Sequence, residues 1–281
     1  MSNAVGRLYI VATPIGNRED ISARAVWILR SVDRVVAEDT RHSRRLLTHL
    51  AIDRPMMSLH EHNETGAARR VIEYLLAGES LALVSDAGTP LISDPGFSLV
   101  RSCREQGIAV VPVPGPSALI AALSVSGLPT DRFRFEGFLP RRQQARLALL
   151  ETLRHEMVTL IFYESSHRVL EALRDLVTVL GPARPAVLAR ELTKLHETVI
   201  SAPLAELLER VEADENQRKG EFVLMLAGAP VEHDASLPDV DGLLNILLEE
   251  LPLKQAAALA ARISGEKKNL LYQRALELTR R

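Results

Sequence analysis

The segment LALVSDAGTPLISDPG, Leu81 to Gly96, places a short apolar run directly before a loop of small and polar residues. The run LALVS has the pattern of a buried strand in a parallel sheet. The loop holds the carboxylates Asp86 and Asp94 among glycines and prolines, which let the backbone approach a ligand closely. Ligands of open α/β sheets bind beyond the carboxyl ends of the strands. The segment therefore predicts a ligand site around Ser85 to Gly96.

The same arrangement recurs on either side of this segment. Strand-like runs at 8–12, 32–37 and 108–113 are followed by the loops TPIGN, EDTRHSRR and PGPSA. Between them, residues 20–30, 64–76 and 96–105 have helical patterns. The alternation predicts βαβ units, a largely parallel sheet and the α/β fold class.

A second α/β pattern follows the segment GLPTDRFRFEGFLP, residues 127–140. We expect an N-terminal α/β domain at 1–120, a C-terminal α/β domain at 121–230, and a linker with a small helical extension at 231–281. In the extension, SGE joins helical stretches at 253–263 and 267–278. That spacing fits a helix-turn-helix or an αα-hairpin packed on the body, and we favour the hairpin.

The composition describes an ordered globular protein. The 281 residues are 47% hydrophobic and 25% charged, with a net charge of −2, so an RNA partner would require a local basic patch. The single cysteine, Cys103, excludes an internal disulfide and favours a reducing, cytoplasmic location. We interpret Cys103 as a core residue. No apolar run approaches the ~18 residues of a membrane span, and the first residues lack the apolar core of a signal peptide.

Several common sites are missing from the sequence. No G-x-G-x-x-G follows the first strand and no G-x-x-x-x-G-K-[ST] occurs, which argues against simple nucleotide hydrolysis and against a common dinucleotide enzyme. The pair His60 and His62 has no third ligand at a suitable spacing, so we expect no metal. YESSHR, residues 163–168, lacks the glycines of a nucleophile elbow.

The charged residues of these loops allow both structural and functional interpretations. We expect Asp86 to contact a ligand and Asp94 to cap the next helix. EDTRHSRR contains either functional residues or a solvated helix start capped by Asp39 or Thr40. Four arginines interleaved with phenylalanines suit phosphate contact and base stacking. The alternative is a strand with a Phe core face and an Arg solvent face. These candidate RNA-binding residues are Arg132, Arg134, Arg141 and Arg142, with Arg146 nearby.

Eight segments in order along the chain resemble one family. They are TPIGN (13–17), AEDTRHS (37–43), LVSDAGTPLISDPG (83–96), VPVPGPSA (111–118), SGLPTDRFRFEGFLP (126–140), IFYESSHR (161–168), ARELTKLHE (189–197) and RKGEFVL (218–224). The family is that of the bacterial small-subunit ribosomal RNA 2′-O-ribose methyltransferases, a branch of the tetrapyrrole methylase superfamily. The resemblance extends over nearly the whole chain, including the C-terminal tail.

The resemblance implies a two-domain tetrapyrrole-methylase-like fold with S-adenosylmethionine in the interdomain cleft, in a homodimer. It implies methyl transfer to the ribose 2′-hydroxyl of a decoding-site cytidine of 16S rRNA in the 30S ribosomal subunit. We expect Asp86 to bind the amine or ribose of the cofactor, and Phe162 to pack against its adenine. By motif, the residues bordering the cofactor are Pro14, Asp86, Gly88, Thr89, Ser117, Ala118, Phe162 and Leu192.

A ribose hydroxyl attacks well only when a base takes its proton or a cation stabilises the alkoxide. The candidates for these roles are Asp39, Arg41, His60, Glu64 and Lys194. Two other functions remain open. One is methylation of a small tetrapyrrole, which would leave the arginine-rich segment without a role. The other is non-catalytic RNA binding through the C-terminal helices, which predicts weak or absent cofactor binding.

Overall fold

The computed structural model describes residues 5–60, 63–230 and 240–279. Residues 1–229 form one compact unit and residues 230–281 a second. His62 and most of the predicted linker at 228–240 lie outside the described residues. Within the described ranges, no helix has both the length and the apolar character needed to cross a membrane.

The first sheet is wholly parallel, with strand order β3-β2-β4-β1-β5, which confirms the prediction from the βαβ pattern. Its strands are β1 (Arg7–Val11), β2 (Arg34–Ala37), β3 (Met56–Ser58), β4 (Leu81–Val84) and β5 (Ala109–Val113). The helices of this region are α1 (Ala23–Ser31), α2 (Thr40–His49), α3 (Glu64–Leu76), α4 (Phe97–Glu105) and α5 (Ala118–Ser126).

Strand β4 is buried along its whole length because helices cover both faces of the sheet. Leu81 and Leu83 join the core that contains α3 and α4, whereas Ala82 and Val84 join the core that contains α1 and α2. Successive side chains of a strand point to opposite faces, so a continuous apolar run is what such a strand requires. Cys103 is fully buried in the α3–α4 core, which confirms its interpretation as a core residue.

The second sheet is mixed, with strand order β6-β7-β10-β8-β9. Only the β6–β7 pair is parallel. Its strands are β6 (Phe133–Phe138), β7 (Thr159–Ser165), β8 (Pro185–Arg190), β9 (Thr198–Pro203) and β10 (Glu221–Leu226). Helices α6 (Gln143–Leu153), α7 (Val169–Leu180) and α8 (Leu204–Ala213) complete the region.

Helix α5 packs its buried residues Leu119, Ala122 and Leu123 against one face of the second sheet. Helices α6, α7 and α8 share a core with the opposite face. The predicted domain boundary at residue 120 falls inside α5, and the division into domains at that point stays a prediction.

The second unit contains α9 (Val240–Glu250), α10 (Leu253–Ser264) and α11 (Lys268–Thr279). These helices enclose a hydrophobic core of their own, built around Leu244, Ala257 and Leu271. Gly265 ends α10 in the left-handed conformation with φ of 76°, which suits a residue without a Cβ.

The sequence patterns locate most elements but miss some. Helix α3 has the predicted bounds, whereas α1 begins at Ala23, not at Asp20. The reason is that residues 18–20 form a 3₁₀ turn and Ser22 caps α1 by accepting a hydrogen bond from the backbone N–H of Ala25 at 3.0 Å. Three elements were not predicted, namely β3, α5 and α8, and for α2 only a possible start was predicted.

Candidate active site

The loops that follow the strands of the first sheet are tied to one another at its carboxyl edge. Thr13 and Gly88 exchange backbone hydrogen bonds of 2.9 and 3.0 Å. The Thr89 hydroxyl donates to the Pro116 carbonyl oxygen at 3.0 Å. The Asp86 carboxylate accepts a hydrogen bond from the Asp39 backbone N–H at 3.2 Å. The four loops that stood out in the sequence therefore meet in one place.

A cleft lies between these loops and the second sheet. It consists of two adjoining cavities of about 520 and 240 Å³, which share Ile15, Ala87, Lys194 and Glu221 in their walls. Small-molecule sites in proteins typically have volumes of ~300–1,000 Å³. The larger cavity is bordered by Pro14 and Asp86, and the smaller by Ala118 and Leu192.

The loops on the two sides of the cleft approach each other closely. The Asn17 backbone N–H donates to the Thr193 hydroxyl at 2.9 Å. A Cβ at Gly16 would lie 2.5 Å from Lys194 Cγ and 2.9 Å from the Leu192 carbonyl oxygen, so only glycine fits there. The non-glycine residues Leu91, Ser93, Glu191 and Thr193 have positive φ values. Such strained backbone is concentrated at functional sites.

Four other residues predicted to border the cofactor lie outside the walls of the two cavities: Gly88, Thr89, Ser117 and Phe162. Gly88 and Thr89 hold the loops together through the hydrogen bonds described above, and Ser117 is the N-cap residue of α5 without a side-chain hydrogen bond to the helix. Phe162 departs from the expectation because its ring is fully buried in the core with α7. The expected packing of this ring against a ligand in the cleft is therefore wrong, and the aromatic side chain that borders the smaller cavity is Tyr163.

Asp94 does not cap α4, which corrects the interpretation from sequence. The N-cap residue of α4 is Gly96, and Asp94 instead borders the smaller cavity. Burial raises the pKa of Asp94 to about 7; the nearby Glu38 and Asp86 carboxylates contribute to this rise, and a hydrogen bond with Ser85 opposes it. Asp94 is thus a carboxyl group that gains and loses its proton near neutral pH.

Glu64 takes the capping role that the pattern assigns to Asp94. Its Oε1 accepts hydrogen bonds from the backbone N–H groups of Gly96 at 3.2 Å and Ser98 at 3.1 Å, and from the Ser98 hydroxyl at 2.5 Å. A carboxylate in this position satisfies orphan donors and favours the positive end of the helix dipole. Glu64 therefore joins α3 to the start of α4.

The other candidate catalytic residues differ in their surroundings. Asp39 caps α2 and is paired with Arg41, whose side-chain and backbone hydrogen bonds lower the pKa of Asp39 to about 2. This confirms that EDTRHSRR contains a helix start. His60, in the loop after β3, donates its backbone N–H to Asn63 Oδ1 at 2.9 Å. Of the five candidates, only Lys194 borders the two cleft cavities.

Lys194 is held in the cleft by two carboxylates. Its Nζ lies 2.8 Å from Glu191 Oε1 and 2.7 Å from Glu221 Oε2. Burial alone would lower the pKa of Lys194, but the hydrogen bonds with the two glutamates outweigh it and raise that pKa. Lys194 is therefore a fixed cation, suited to stabilise negative charge more than to accept a proton.

Glu164 is a buried carboxylate beside the cleft that the sequence reasoning missed. It is 2% exposed and its Oε1 lies 2.8 Å from Arg168 Nη2, while burial raises its pKa. Its Oε2 is buried and makes no hydrogen bond to any described residue. The residue lies beside the smaller cavity, but its side chain points to the α7 face of the sheet, as that of Phe162 does, so the carboxylate anchors Arg168 and not a ligand in the cleft. A glutamate inside an apolar strand sequence is the signal that could have identified it.

The arginine-rich segment divides into exposed and buried members. Arg132, Arg141 and Arg142 are exposed, and Arg134 pairs with Glu136 and Glu156. Arg146 is 1% exposed and bonds to Asp175 at 2.7 Å, so it belongs to the core. Phe133 and Phe138 are 40% and 51% exposed, which departs from a strand with a Phe core face.

The described residues contain no group of three or more His, Cys, Asp or Glu side chains that could hold a metal ion.

Two family models match the chain. The model described as Tetrapyrrole (Corrin/Porphyrin) Methylases matches residues 7–208, and the model described as RsmI C-terminal HTH domain matches residues 234–279. The second match agrees with the helix-turn-helix interpretation of the C-terminal helices, which the sequence analysis ranked below an αα-hairpin.

Among solved structures, a uroporphyrin III C-methyl transferase from Thermus thermophilus superposes with a TM-score of 0.56 at 18% identity, covering 79% of this chain and 97% of that one. A diphthine synthase superposes with a TM-score of 0.63 at 16% identity, covering 79% of this chain and 90% of that one. At such identities these similarities establish the fold alone.

Curated relatives are much closer in sequence. A protein from Xylella fastidiosa (strain Temecula1) is 58% identical over 95% of this chain and 98% of its own length. One from Pseudomonas aeruginosa is 56% identical over 98% of each chain, and one from Escherichia coli O157:H7 is 54% identical over 98% of this chain and 96% of its own. All three are named ribosomal RNA small subunit methyltransferase I. The chain therefore belongs to the tetrapyrrole (corrin/porphyrin) methylase family, within the group of relatives that bear this name.

Proposed function

We propose that the protein uses S-adenosylmethionine to methylate the ribose 2′-hydroxyl of a decoding-centre cytidine of 16S rRNA in the 30S ribosomal subunit. The observation that carries this proposal is full-length similarity at 54–58% identity to relatives named ribosomal RNA small subunit methyltransferase I. We propose further that it acts in the cytoplasm as a homodimer, and that its α/β domains divide near residue 120.

The cleft fits S-adenosylmethionine, which combines a sulfonium cation with an amino acid and an adenosine. Asp86 and Asp94 supply carboxylate oxygens in the cavity walls. Carboxylates suit a cationic ligand and its amine and ribose donors. Pro14, Ala118 and Leu192 would border the ligand, while the ties at Gly88 and Thr89 hold the loops in position.

When bound, S-adenosylmethionine supplies an electrophilic methyl group for in-line displacement. The protein contributes chiefly by holding the ribose oxygen and the methyl carbon in line. Hydrogen bonds between the strand-end loops, and the close approach of Gly16 to the opposite loop, fix the positions of the cleft walls relative to one another. Lys194, fixed between Glu191 and Glu221, is positioned to stabilise the developing alkoxide.

The proton of the 2′-hydroxyl requires an acceptor. With a pKa of about 2 and an ion pair to Arg41, Asp39 is a weak base, and Glu64 is engaged at the start of α4. We add Asp94 to the candidates because it borders the cavity and its pKa of about 7 suits proton transfer near neutral pH. Arg41 and His60 border neither cleft cavity and remain candidates for contacts with the substrate.

The decisive experiment supplies purified protein with labelled S-adenosylmethionine and 30S subunits that lack the methyl mark. We expect label on the ribose of one cytidine of 16S rRNA, located by primer extension at low nucleotide concentration. A labelled tetrapyrrole formed with the RNA unmethylated would show that the protein belongs to the other functional class. Absence of label from both acceptors would contradict a methyltransferase.

Calorimetry with S-adenosylmethionine tests the role of Asp86. Replacing a charged partner of a buried ligand costs about 2–5 kcal/mol, so Asp86→Ala should weaken binding roughly 30-fold or more. The matched control is Asp53→Ala, because Asp53 is exposed and borders neither cleft cavity. Equal affinity of wild type and Asp86→Ala would remove Asp86 from the cofactor site.

A further inference from the structure

The exposed side of α2 carries a strong local positive charge beside the cleft. The helix sequence, TRHSRRLLTH, contains three arginines and two histidines and no carboxylate. We propose that Arg18, His42, Arg44 and Arg45, here called the α2 basic face, bind the phosphate backbone of the RNA on either side of the target nucleotide. This inference rests on the proposed function and specifies where its substrate binds.

The charges of this face are not neutralised within the protein. Arg41 is paired with Asp39 at 3.0 Å, but within the described part of the chain Arg44, Arg45 and His42 make neither an ion pair nor a side-chain hydrogen bond. All three are exposed. Their charge and their donors are therefore available to an anion from outside.

On two other helices around the first sheet, one exposed arginine is paired with a carboxylate of the same helix. On α3, Arg69 lies 3.2 Å from Glu73, and on α4, Arg101 lies 2.9 Å from Glu105. Such i,i+4 pairs are typical of a solvated helix face whose charges compensate one another. Arg70 and Arg104 on these helices also make no ion pair among the described residues, so what distinguishes α2 is that its unpaired Arg44 and Arg45 are grouped beside the cleft.

The α2 basic face runs from the cleft to the outer surface. Arg18, His42 and Arg45 border the 520 Å³ cavity together with Asp86. Arg44 and Arg45 border a neighbouring depression of about 480 Å³ with Thr40 and Thr48. Because Arg45 belongs to both walls, the two hollows form one continuous basic surface.

Where the α2 basic face enters the cleft, one buried hydroxyl group lacks a hydrogen-bond partner among the described residues. The Ser43 hydroxyl oxygen is buried, borders the larger cavity and has no hydrogen-bond partner among the described residues. Buried hydroxyls normally have a partner, so its presence here favours a polar ligand that reaches from the α2 basic face into the cleft.

The chemistry of an RNA strand fits this arrangement. A ribose can enter the cleft only if the phosphates attached to it lie at the cleft mouth, where the unpaired arginines are. Arginine binds phosphate through a planar set of donors in two-pronged geometry. The chain as a whole carries a net charge of −2, so its attraction for RNA must come from a local patch of this kind.

The test compares wild-type protein with R44A/R45A and with the control R69A/R101A, which removes the same number of arginines from paired positions. The measurements are filter binding to protein-free 16S rRNA, filter binding to 30S subunits, and methyl transfer to 30S subunits, each over a range of KCl concentrations. We expect R44A/R45A to weaken binding to both forms of RNA by about tenfold or more. The slope of log affinity against log salt should fall by about 1.5, because each lost phosphate contact contributes ~0.7–0.9.

Affinity for S-adenosylmethionine in calorimetry should be unchanged in the single variant Arg44→Ala, whose residue lies outside both cleft cavities, and the thermal unfolding of R44A/R45A shows whether the double variant is folded. Arg18→Gln, located outside α2, provides a second variant and should show a smaller effect in the same direction. If R44A/R45A and the control retain wild-type RNA affinity and salt slope, the α2 basic face does not bind RNA. Loss of binding to 30S subunits but not to protein-free rRNA would mean that this face binds ribosomal protein and would also overturn the inference. If the wild-type protein transfers no methyl group to 30S subunits, the proposed function itself fails.

Discussion

The two sheets on either side of the cleft differ in what they bury. Among the described residues of the first region, 5–126, the buried polar side chains are all uncharged: Thr13, Ser43, Ser85 and Ser126. In the second region, 127–230, the buried polar side chains include five ionisable ones: Arg146, Glu164, Asp175, Arg184 and Arg190. The first region thus has an apolar interior, and the second has charges inside its core.

This difference follows from how each region holds its loops. In the first, strand-end loops of a parallel sheet meet at one edge and bond to one another through backbone groups, as Thr13 and Gly88 do. In the second, buried guanidinium groups bond to the carbonyl oxygens of separate segments. Arg184 donates to Arg154 at 3.1 Å, Glu156 at 3.2 Å and Ala227 at 2.8 Å, and Arg190 donates to His196 and Lys219. The first region therefore joins its strand-end loops largely through backbone groups, whereas the second joins separate segments through buried charged side chains.

The largest expected effect tests the charged interior. Arg146→Ala would leave the buried Asp175 carboxylate without its charged partner and with only the Gln143 amide as a donor, so we expect the free energy of unfolding to fall by about 3–5 kcal/mol. The control is Arg174→Ala, which breaks an exposed pair with Glu212 and should cost at most about 1 kcal/mol. Urea denaturation measures both. Equal losses would mean that the buried ion pairs of the second region are no more important than surface pairs.

An intermediate effect concerns Asp94, the group of the first region whose pKa is raised to about 7. The folded protein retains this proton up to a higher pH than the unfolded chain, so Asp94 reduces stability increasingly as pH rises from about 4 to 7. Above pH 7 the penalty is complete. Asp94→Asn should therefore raise the free energy of unfolding at pH 8 by on the order of 1–3 kcal/mol and leave it nearly unchanged at pH 3.5. Urea denaturation at both pH values checks the sign, and a variant less stable than wild type at pH 8 would contradict it.

The smallest effect tests the capping of α4 by Glu64. Glu64→Ala leaves the N–H groups of Gly96 and Ser98 without their acceptor, which should cost about 1 kcal/mol. Glu73→Ala is the matched control, because Glu73 lies on the same helix in an exposed pair with Arg69. Hydrogen exchange at the start of α4 should rise only in Glu64→Ala. Unchanged protection there would show that the cap contributes nothing measurable.

Local patterns predicted much of the fold because they act over a few residues. The apolar run at Leu81–Val84 identified a strand buried on two faces, and the small residues after it identified a ligand-binding loop. The patterns were less successful where distant residues decide the outcome. Phe162 and Tyr163 are adjacent in an apolar strand, and only one of them can face the cleft. The motif IFYES does not indicate which of the two side chains points towards the cleft.

The sequence by itself determined the α/β class, the strand-end loops and the family. The reason is that the spacing of hydrophobic residues, the turn residues and the order of the motifs can all be read from neighbouring positions in the chain. Only the tertiary structure decided which residues act together. Glu64 caps a helix that begins 32 residues later in the chain, and Arg146 meets Asp175 across 29 residues. It also showed that Arg44 and Arg45 of α2 have no acidic partner among the described residues, whereas Arg69 of α3 and Arg101 of α4 each have one. The physical reason is that capping, ion pairing and desolvation depend on which groups meet in space, and sequence spacing constrains such meetings only within a single element.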